Sequence, residues 1–372
     1  LEAARLLDLS GIERAHLARM LFQLFTLTEW ELRRWDRRTL DEFVLEHTEH
    51  PGAYFLFSFL ASIFFVLPPW QVSAGEAIRC LRGVLGSYRL SYVEGGMDSI
   101  AHALLGLVTA GDGDLVTGSR VIAIRPRPGA IAVATRDAEY RAPIVCCNLA
   151  PADLVELLDA DVPADYRERA RAVRGSGNAH QLKLALRRPL VEEGCLIGGV
   201  SLEGKTLRDL SLELMRDTVA SIDDGAVSDP LAIYAPVPTN YDPSLGPGQL
   251  IVASIYGPVR DDAADPPSKW RDRALAAMRS IIPHLDDELL FVEWTPIRAV
   301  AGWMGKSNRG AICNGQFPGQ VGRDRLPVTT PFPGLYLVGD GAGGRGIGTE
   351  LAASSAMEAV DAIGEAALGR AA

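Results

Sequence analysis

The sequence is poor in cysteine and has no basic tract. Its five cysteines are scattered and include no CxxC motif, so neither a disulfide framework nor a metal site is predicted. We interpret them as reduced thiols of a cytoplasmic protein. The 37 basic residues are outnumbered by 47 acidic ones, for a formal net charge of −10, and no block of lysine or arginine occurs. A phosphate backbone is an unfavourable partner for such a chain, and we predict no nucleic-acid binding.

Long apolar runs are also missing. The longest stretch, residues 53–70, has only about 15 residues before Pro68, whereas roughly 20 are needed to span a bilayer. A buried helix is the simplest interpretation, and a helix that lines an apolar substrate tunnel or rests on a membrane surface stays an open alternative. We therefore predict cytoplasmic localisation, with peripheral membrane contact as that alternative.

The chain does not open with a strand–GxGxxG–helix unit, the usual start of a dinucleotide-binding domain. A glycine-rich stretch lies near its other end instead, in residues 336–360, YLVGDGAGGRGIGTELAASSAMEAV. A predicted strand, 335–338, leads into this loop, and a helix is predicted over 350–368. Such an order brings backbone N–H groups and the positive end of a helix against a phosphate or a cofactor ring.

In the rest of the chain, the spacing of apolar and polar residues changes from one segment to the next. Residues 1–88 have helical periodicity, and Thr28 with Glu31 forms a potential capping box. Alternating apolar and polar residues predict short strands and a hairpin in 118–149. Longer strands of an antiparallel sheet are predicted between residues 178 and 294, with one helix among them.

The terminal stretch resembles the flavin-binding segment of the FAD-dependent family that includes phytoene desaturases, other carotenoid oxidoreductases, protoporphyrinogen oxidases and flavin amine oxidases. Two further stretches resemble the same family. Residues 92–106, YVEGGMDSIAHALLG, are similar to its Gly-Gly turn and helix, and residues 118–124, GSRVIAI, are similar to its short adenine-side strand.

This resemblance implies that the cofactor is FAD. It places Asp340 at the ribityl or pyrophosphate part of FAD, the start of helix 350–368 at the pyrimidine edge of the isoalloxazine, and the backbone of Val121 beside the adenine. The predicted cofactor-binding residues are Gly95, Gly96, Val121, Gly339, Asp340, Gly346, Ile347, Gly348 and Thr349. No catalytic side chain is predicted, because the flavin performs the chemistry. No metal ligand is predicted, because the cysteines are scattered and the histidines have no partner that suggests a metal site.

The pattern of apolar residues and the resemblance to the FAD-dependent family together predict an α/β and α+β fold. An FAD-binding Rossmann-like domain, incomplete because its N-terminal βαβ unit is missing, is interleaved with a substrate domain of antiparallel sheet plus helices. The predicted segments are 1–88 and 156–327 for the substrate domain, and 89–155 and 328–372 for the FAD-binding domain. We expect the natural protein to continue upstream of Leu1, and the chain alone to bind FAD weakly or not at all.

The predicted function is that of an FAD-dependent oxidoreductase, desaturase- or dehydrogenase-like. Its predicted partner is an apolar small-molecule substrate, of isoprenoid or carotenoid type, from which it removes a hydride. Ile347 stands where flavin amine oxidases usually have an aromatic residue, which favours such a substrate. Two alternatives stay open: an amine or protoporphyrinogen oxidase, and a non-catalytic prenyl-binding protein of the Rab GDP-dissociation-inhibitor type. Electron acceptor and oligomeric state are not predicted.

Overall fold

The computed structural model describes residues 9–87, 91–198, 212–227, 231, 233–257, 265–304 and 313–371. Its helices are α1 (Gly11–Thr26), α2 (Glu29–Trp35), α3 (Leu40–Leu45), α4 (Pro51–Phe65), α5 (Ala74–Ser87), α6 (Asp98–Ala110), α7 (Pro151–Leu157), α8 (Ala164–Ala172), α9 (Leu212–Asp223), α10 (Pro267–Ile281), α11 (Leu285–Glu288), α12 (Ile297–Met304) and α13 (Gly348–Ala371). Its strands are β1 (Val121–Arg127), β2 (Ala130–Thr135), β3 (Glu139–Ala142), β4 (Val145–Cys147), β5 (Asn178–Leu186), β6 (Cys195–Gly198), β7 (Ile233–Pro236), β8 (Gln249–Gly257), β9 (Leu289–Thr295) and β10 (Leu335–Leu337).

Capping boxes start the first two of these helices. The Thr28 hydroxyl accepts the N–H of Glu31 at 3.3 Å, and the Glu31 carboxylate accepts the N–H of Thr28 at 2.7 Å. Ser10 and Glu13 make the same pair of bonds at α1. Each box satisfies N–H groups that have no partner inside the helix. The predicted capping box at Thr28 is therefore confirmed.

Segments Leu1–Ser87, Gly118–Ser176 and Gly305–Ala372 form one compact unit. In this unit β10 pairs in parallel with β4, and β1, β2 and β3 form an antiparallel sheet. All three residues of β10 are buried, as expected for a strand covered on both faces. The predicted strand 335–338 is thus present and one residue shorter.

Segments Tyr88–Thr117 and Gly177–Met304 form the second compact unit. Its sheet is antiparallel, as predicted, and has the strand order β6-β7-β8-β5-β9. Burial alternates residue by residue along β8, and the inner face of the sheet packs in one core with Trp270 of α10. The helix predicted among these strands is α10.

The compact units group the chain differently from the predicted domains. Residues 1–87 belong to the unit that contains β4, β10 and the terminal glycine loop, and residues 88–117 belong to the other unit. Ion pairs from α5 and the end of α2 to the glycine loop contribute to this grouping, and local periodicity does not reveal such pairs. Which segments serve the substrate or FAD stays a prediction, as does the incomplete Rossmann-like domain.

Helix α4 contains most of the longest apolar stretch, residues 53–70. It has 15 residues, and its Tyr54, Phe57, Ala61 and Phe65 side chains are buried. In the part of the chain that the structure describes, no helix combines the length and the apolar character that a membrane crossing requires.

Candidate functional site

The loop between β10 and α13 has a backbone that depends on glycine. Gly339 has φ +95°, and a Cβ built on it would lie 2.3 Å from the Asn148 side chain. Gly348 has φ +52°, but a Cβ there would meet no atom within 4 Å. The first glycine is required by packing and conformation together, whereas the second faces open space. The end of the loop at Gly348 thus has room for a ligand.

Ser355 on α13 holds the beginning of this loop. Its side-chain oxygen accepts the N–H of Gly339 at 3.1 Å and donates to the carbonyl of Ala342 at 2.5 Å. The serine is fully buried, so both bonds are shielded from water. The loop is in this way tied to the helix that follows it.

Asp340 is the acidic residue of the loop. Its Oδ2 accepts the backbone N–H of Asn314 at 2.8 Å, and its carbonyl accepts a bond from Arg325 at 3.1 Å. Arg325 also donates to Gln316, at 2.7 Å. Burial lowers the pKa of the Arg325 guanidinium, and the nearby carboxylates of Glu76 and Asp340 oppose that shift. Asp340 therefore has a fixed position beside a buried cation.

A cavity of about 210 Å³ is lined by Asp340, Gly341, Asn314 and Arg325. Two buried atoms of its lining residues, Asn314 Nδ2 and Arg325 Nε, have no hydrogen-bond partner among the described residues. An unsatisfied buried donor costs about 1–3 kcal/mol, so a ligand with acceptor oxygens would stabilise this lining. A Cβ on Gly341 would lie 3.3 Å from Asn314 Nδ2, so a larger residue there would crowd this donor. Phosphate and hydroxyl oxygens of FAD are such acceptors, and the residues present fit the cofactor.

Ion pairs hold the other end of the loop. Arg345 donates to Asp36 at 2.9 Å and to Glu76 at 2.7 Å, and Arg79 donates to Asp36 at 2.7 Å. Glu76 also accepts the N–H of Gly346 at 2.7 Å. Burial lowers the pKa of the Arg345 guanidinium, but its bonds and charge interactions with Asp36 and Glu76 outweigh burial and raise it overall. Two buried carboxylates are thus matched by two arginines.

The structure brings most predicted site residues into one compact unit. Val121 begins β1, opposite Thr135 of β2, and belongs to the same unit as residues 339–349. Gly95 and Gly96 belong to the other unit, in a turn where both have positive φ. There the N–H of Gly95 donates to Asp242 at 2.7 Å. That these residues contact the flavin stays a prediction.

Comparison with protein families identifies the family of the chain. A model of the family of flavin-containing amine oxidoreductases matches residues 1–364. The chain belongs to this family. The predicted FAD-dependent oxidoreductase and its predicted cofactor are confirmed by that membership, which favours an enzyme over the prenyl-binding alternative. A comparison with curated proteins finds no match.

Solved structures show the same fold as this flavin oxidoreductase. An oxidoreductase from Methanosarcina mazei is 19% identical with a TM-score of 0.65, over 95% of this chain and 73% of that one. A putrescine oxidase with redesigned cofactor binding is 11% identical with a TM-score of 0.64, over 96% and 76%. A fatty acid isomerase from P. acnes, which produces CLA, is 12% identical with a TM-score of 0.54, over 94% and 74%. At these identities the likeness concerns the fold.

Asp340→Asn tests the predicted flavin contact of Asp340 while keeping an acceptor for the N–H of Asn314. The amide oxygen can still accept the N–H of Asn314, whereas the amide nitrogen replaces an acceptor by a donor. We expect FAD affinity in the full-length flavoenzyme to fall about tenfold to 100-fold, as for loss of a bond to a charged group. Flavin titration measures this, and Asp159→Asn is the control, since Asp159 pairs with Arg125 and is not among the residues that line this cavity. Equal affinities of both variants would contradict the role of Asp340.

Sequence reasoning missed several residues that shape this flavoenzyme site. They are Asp36, Glu76, Asn314, Arg325 and Ser355. The serine had a local signal, since it lies in an alanine- and serine-rich helix next to the loop. The others lie in segments where nothing in the local sequence connects them to the loop.

Proposed function

We propose that this flavin oxidoreductase removes a hydride from a C–H bond of an apolar substrate, as a desaturase or dehydrogenase does. Ile347 carries the proposal. It lies half-buried between two positive-φ glycines, Gly346 and Gly348, at the start of α13. An aliphatic side chain at this place offers nothing to an ammonium group, which would lose its hydration there. A hydrocarbon chain has no such penalty.

A structural neighbour supports the same substrate class. The P. acnes protein of this fold is, by its description, a fatty acid isomerase. Its substrate is a long apolar chain, so the fold accommodates such molecules. We extend this class to isoprenoid and carotenoid-like substrates.

The roles of the chain's own residues follow from the site. FAD, when bound, supplies the hydride-accepting chemistry. Asp340, held by the N–H of Asn314, would accept hydrogen bonds from hydroxyl groups of the cofactor. The positive end of α13, a helix of 24 residues, stabilises negative charge near Gly348 by about 0.5–1 kcal/mol. Ile347 helps to exclude water from the reacting centre.

Amine oxidation is the second candidate function. The family is described as amine oxidoreductases, and one neighbour is a putrescine oxidase. This candidate requires that the cationic substrate be recognised by groups other than Ile347.

Anaerobic reduction distinguishes the two candidates. Full-length protein loaded with FAD is mixed separately with an unsaturated fatty acid, an acyclic polyene isoprenoid and putrescine, and loss of the visible absorbance of oxidised flavin is recorded. We expect at least one apolar compound to reduce the flavin and to yield a product with one further double bond by mass spectrometry. The diamine should leave the flavin oxidised. Reduction by putrescine alone would overturn the proposal in favour of the amine oxidase.

A further inference from the structure

The end of the glycine loop needs an external support. Gly343, Gly344, Gly346 and Gly348 all have positive φ. Glycine-rich segments have many accessible backbone conformations when they are not held by other contacts. A loop that binds a ring system at a defined position must therefore be fixed by neighbouring residues.

Glu76 of α5 provides that support with both of its carboxylate oxygens. Oε1 accepts the backbone N–H of Gly346 at 2.7 Å, and Oε2 accepts Nη1 of Arg345 at 2.7 Å. The Glu76 side chain is only 1% exposed. One buried side chain thus fixes two consecutive loop residues, one through its backbone and one through its guanidinium.

The helix that carries Glu76 is itself closely packed. A Cβ on Gly75 would lie 2.2 Å from Asp36 Oδ1 and 2.6 Å from the Leu32 carbonyl oxygen, so α5 lies directly against the end of α2. Ser73, just before α5, donates through its hydroxyl to the Asp36 carbonyl at 3.1 Å. Glu76 therefore projects from a rigid support.

The negative charges of the buried Asp36 and Glu76 side chains are compensated by neighbouring arginines. Asp36 bonds both Arg79 and Arg345, and Glu76 bonds Arg345. Buried carboxylates require such paired cations. Asp36 thereby keeps Arg345 within reach of Glu76.

We infer that Glu76, assisted by Asp36, is a positioning residue for the flavin: it holds residues 345–346 so that residues 346–349 have the geometry that the flavin ring requires. The inference rests on the proposed contact between this loop and FAD. Glu76 contacts no reacting atom and acts through the backbone of Gly346.

Glu76→Gln in the full-length protein tests this role. The amide nitrogen of glutamine would face one of the two donors, Gly346 N–H or Arg345, so one bond is lost. In the absence of FAD, we expect hydrogen exchange in the peptide covering residues 339–349 to accelerate about tenfold or more. FAD affinity should fall about tenfold or more, with a visible circular dichroism spectrum of the bound flavin that differs from wild type.

Glu29→Gln is the matched control. Glu29 belongs to the same charge network through Arg79 but is largely exposed, and its carboxylate accepts hydrogen bonds from Arg79 rather than from the described residues of the loop. This variant should retain wild-type exchange and wild-type FAD affinity. If Glu76→Gln does not fold, Glu76→Asp, which keeps the charge but is one methylene shorter, should show the same effects in weaker form.

The outcomes separate this inference from the proposed function. Wild-type exchange and affinity in a folded Glu76 variant would overturn the positioning role. Faster exchange with unchanged FAD affinity would also overturn it, because Glu76 would then support the loop without affecting the flavin. Neither measurement involves a substrate, so failure of the apolar compounds to reduce the flavin would contradict the proposed function alone.

Discussion

Gly348→Val is expected to abolish FAD binding in the full-length protein. The Cβ position at Gly348 meets no protein atom within 4 Å, so a valine side chain would occupy the open space that we assign to the flavin. The φ of +52° also strains a β-branched residue, by about 1–3 kcal/mol. Flavin titration should show a loss of affinity of about 100-fold or more, equivalent to about 3 kcal/mol.

Gly129→Val separates strain from loss of the flavin contact. Gly129 is exposed, has φ +77° and likewise has no atom within 4 Å of its Cβ position. Both variants should lose a similar amount of thermal stability, because both place valine at positive φ. Only Gly348→Val should lose the cofactor. Retention of wild-type FAD affinity in Gly348→Val would refute the assignment of the flavin to this end of the loop.

Arg345→Met is expected to lower the free energy of unfolding by about 3–5 kcal/mol, the range for breaking a buried ion pair on one side. Methionine keeps much of the side-chain length but leaves Asp36 and Glu76, both buried, with Arg79 as the remaining cation bonded to Asp36. Chemical denaturation of the apoprotein measures the loss. Adding Glu76→Gln should recover part of it, because the double variant again pairs one carboxylate of this network, Asp36, with one arginine, Arg79.

Arg37→Met provides the control for the loss of an arginine. Arg37 pairs with Asp324, but its side chain is 73% exposed, and exposed pairs contribute little to stability. We expect its denaturation curve to remain near that of wild type. If both variants lost a similar free energy of unfolding, the burial of the carboxylates paired with Arg345 would not explain the effect of Arg345→Met.

Local sequence predicted many of the elements. The strand predicted at residues 178–186 is β5, with the same bounds, because apolar and polar residues alternate along it. The capping box of Thr28 and Glu31 starts α2, since its bonds link residues three positions apart. The strand–loop–helix around Asp340 has the predicted order because an apolar run, six glycines and an alanine-rich stretch each specify their own conformation.

The contacts of Asp36 and Glu76 with the loop were not predicted, because they are ion pairs between residues far apart in the sequence. Arg345 is 309 residues from Asp36 and 269 from Glu76 along the chain. A carboxylate in a helical segment usually indicates a solvated face, so the burial of Glu76 had no local signal. The membership of residues 1–87 in the compact unit of the glycine loop likewise depends on the tertiary fold.

The separation of 309 residues between Asp36 and Arg345 also fixes an order of events during protein synthesis. Helices α2 and α5 leave the ribosome long before the loop exists, and until then Asp36 and Glu76 lack the arginine and the backbone N–H that they bond in the finished protein. Contacts of such large sequence separation form late, because the intervening chain must be ordered first. Flavin uptake at this loop should therefore follow translation of Arg345, and nascent chains stalled before it should emerge without cofactor.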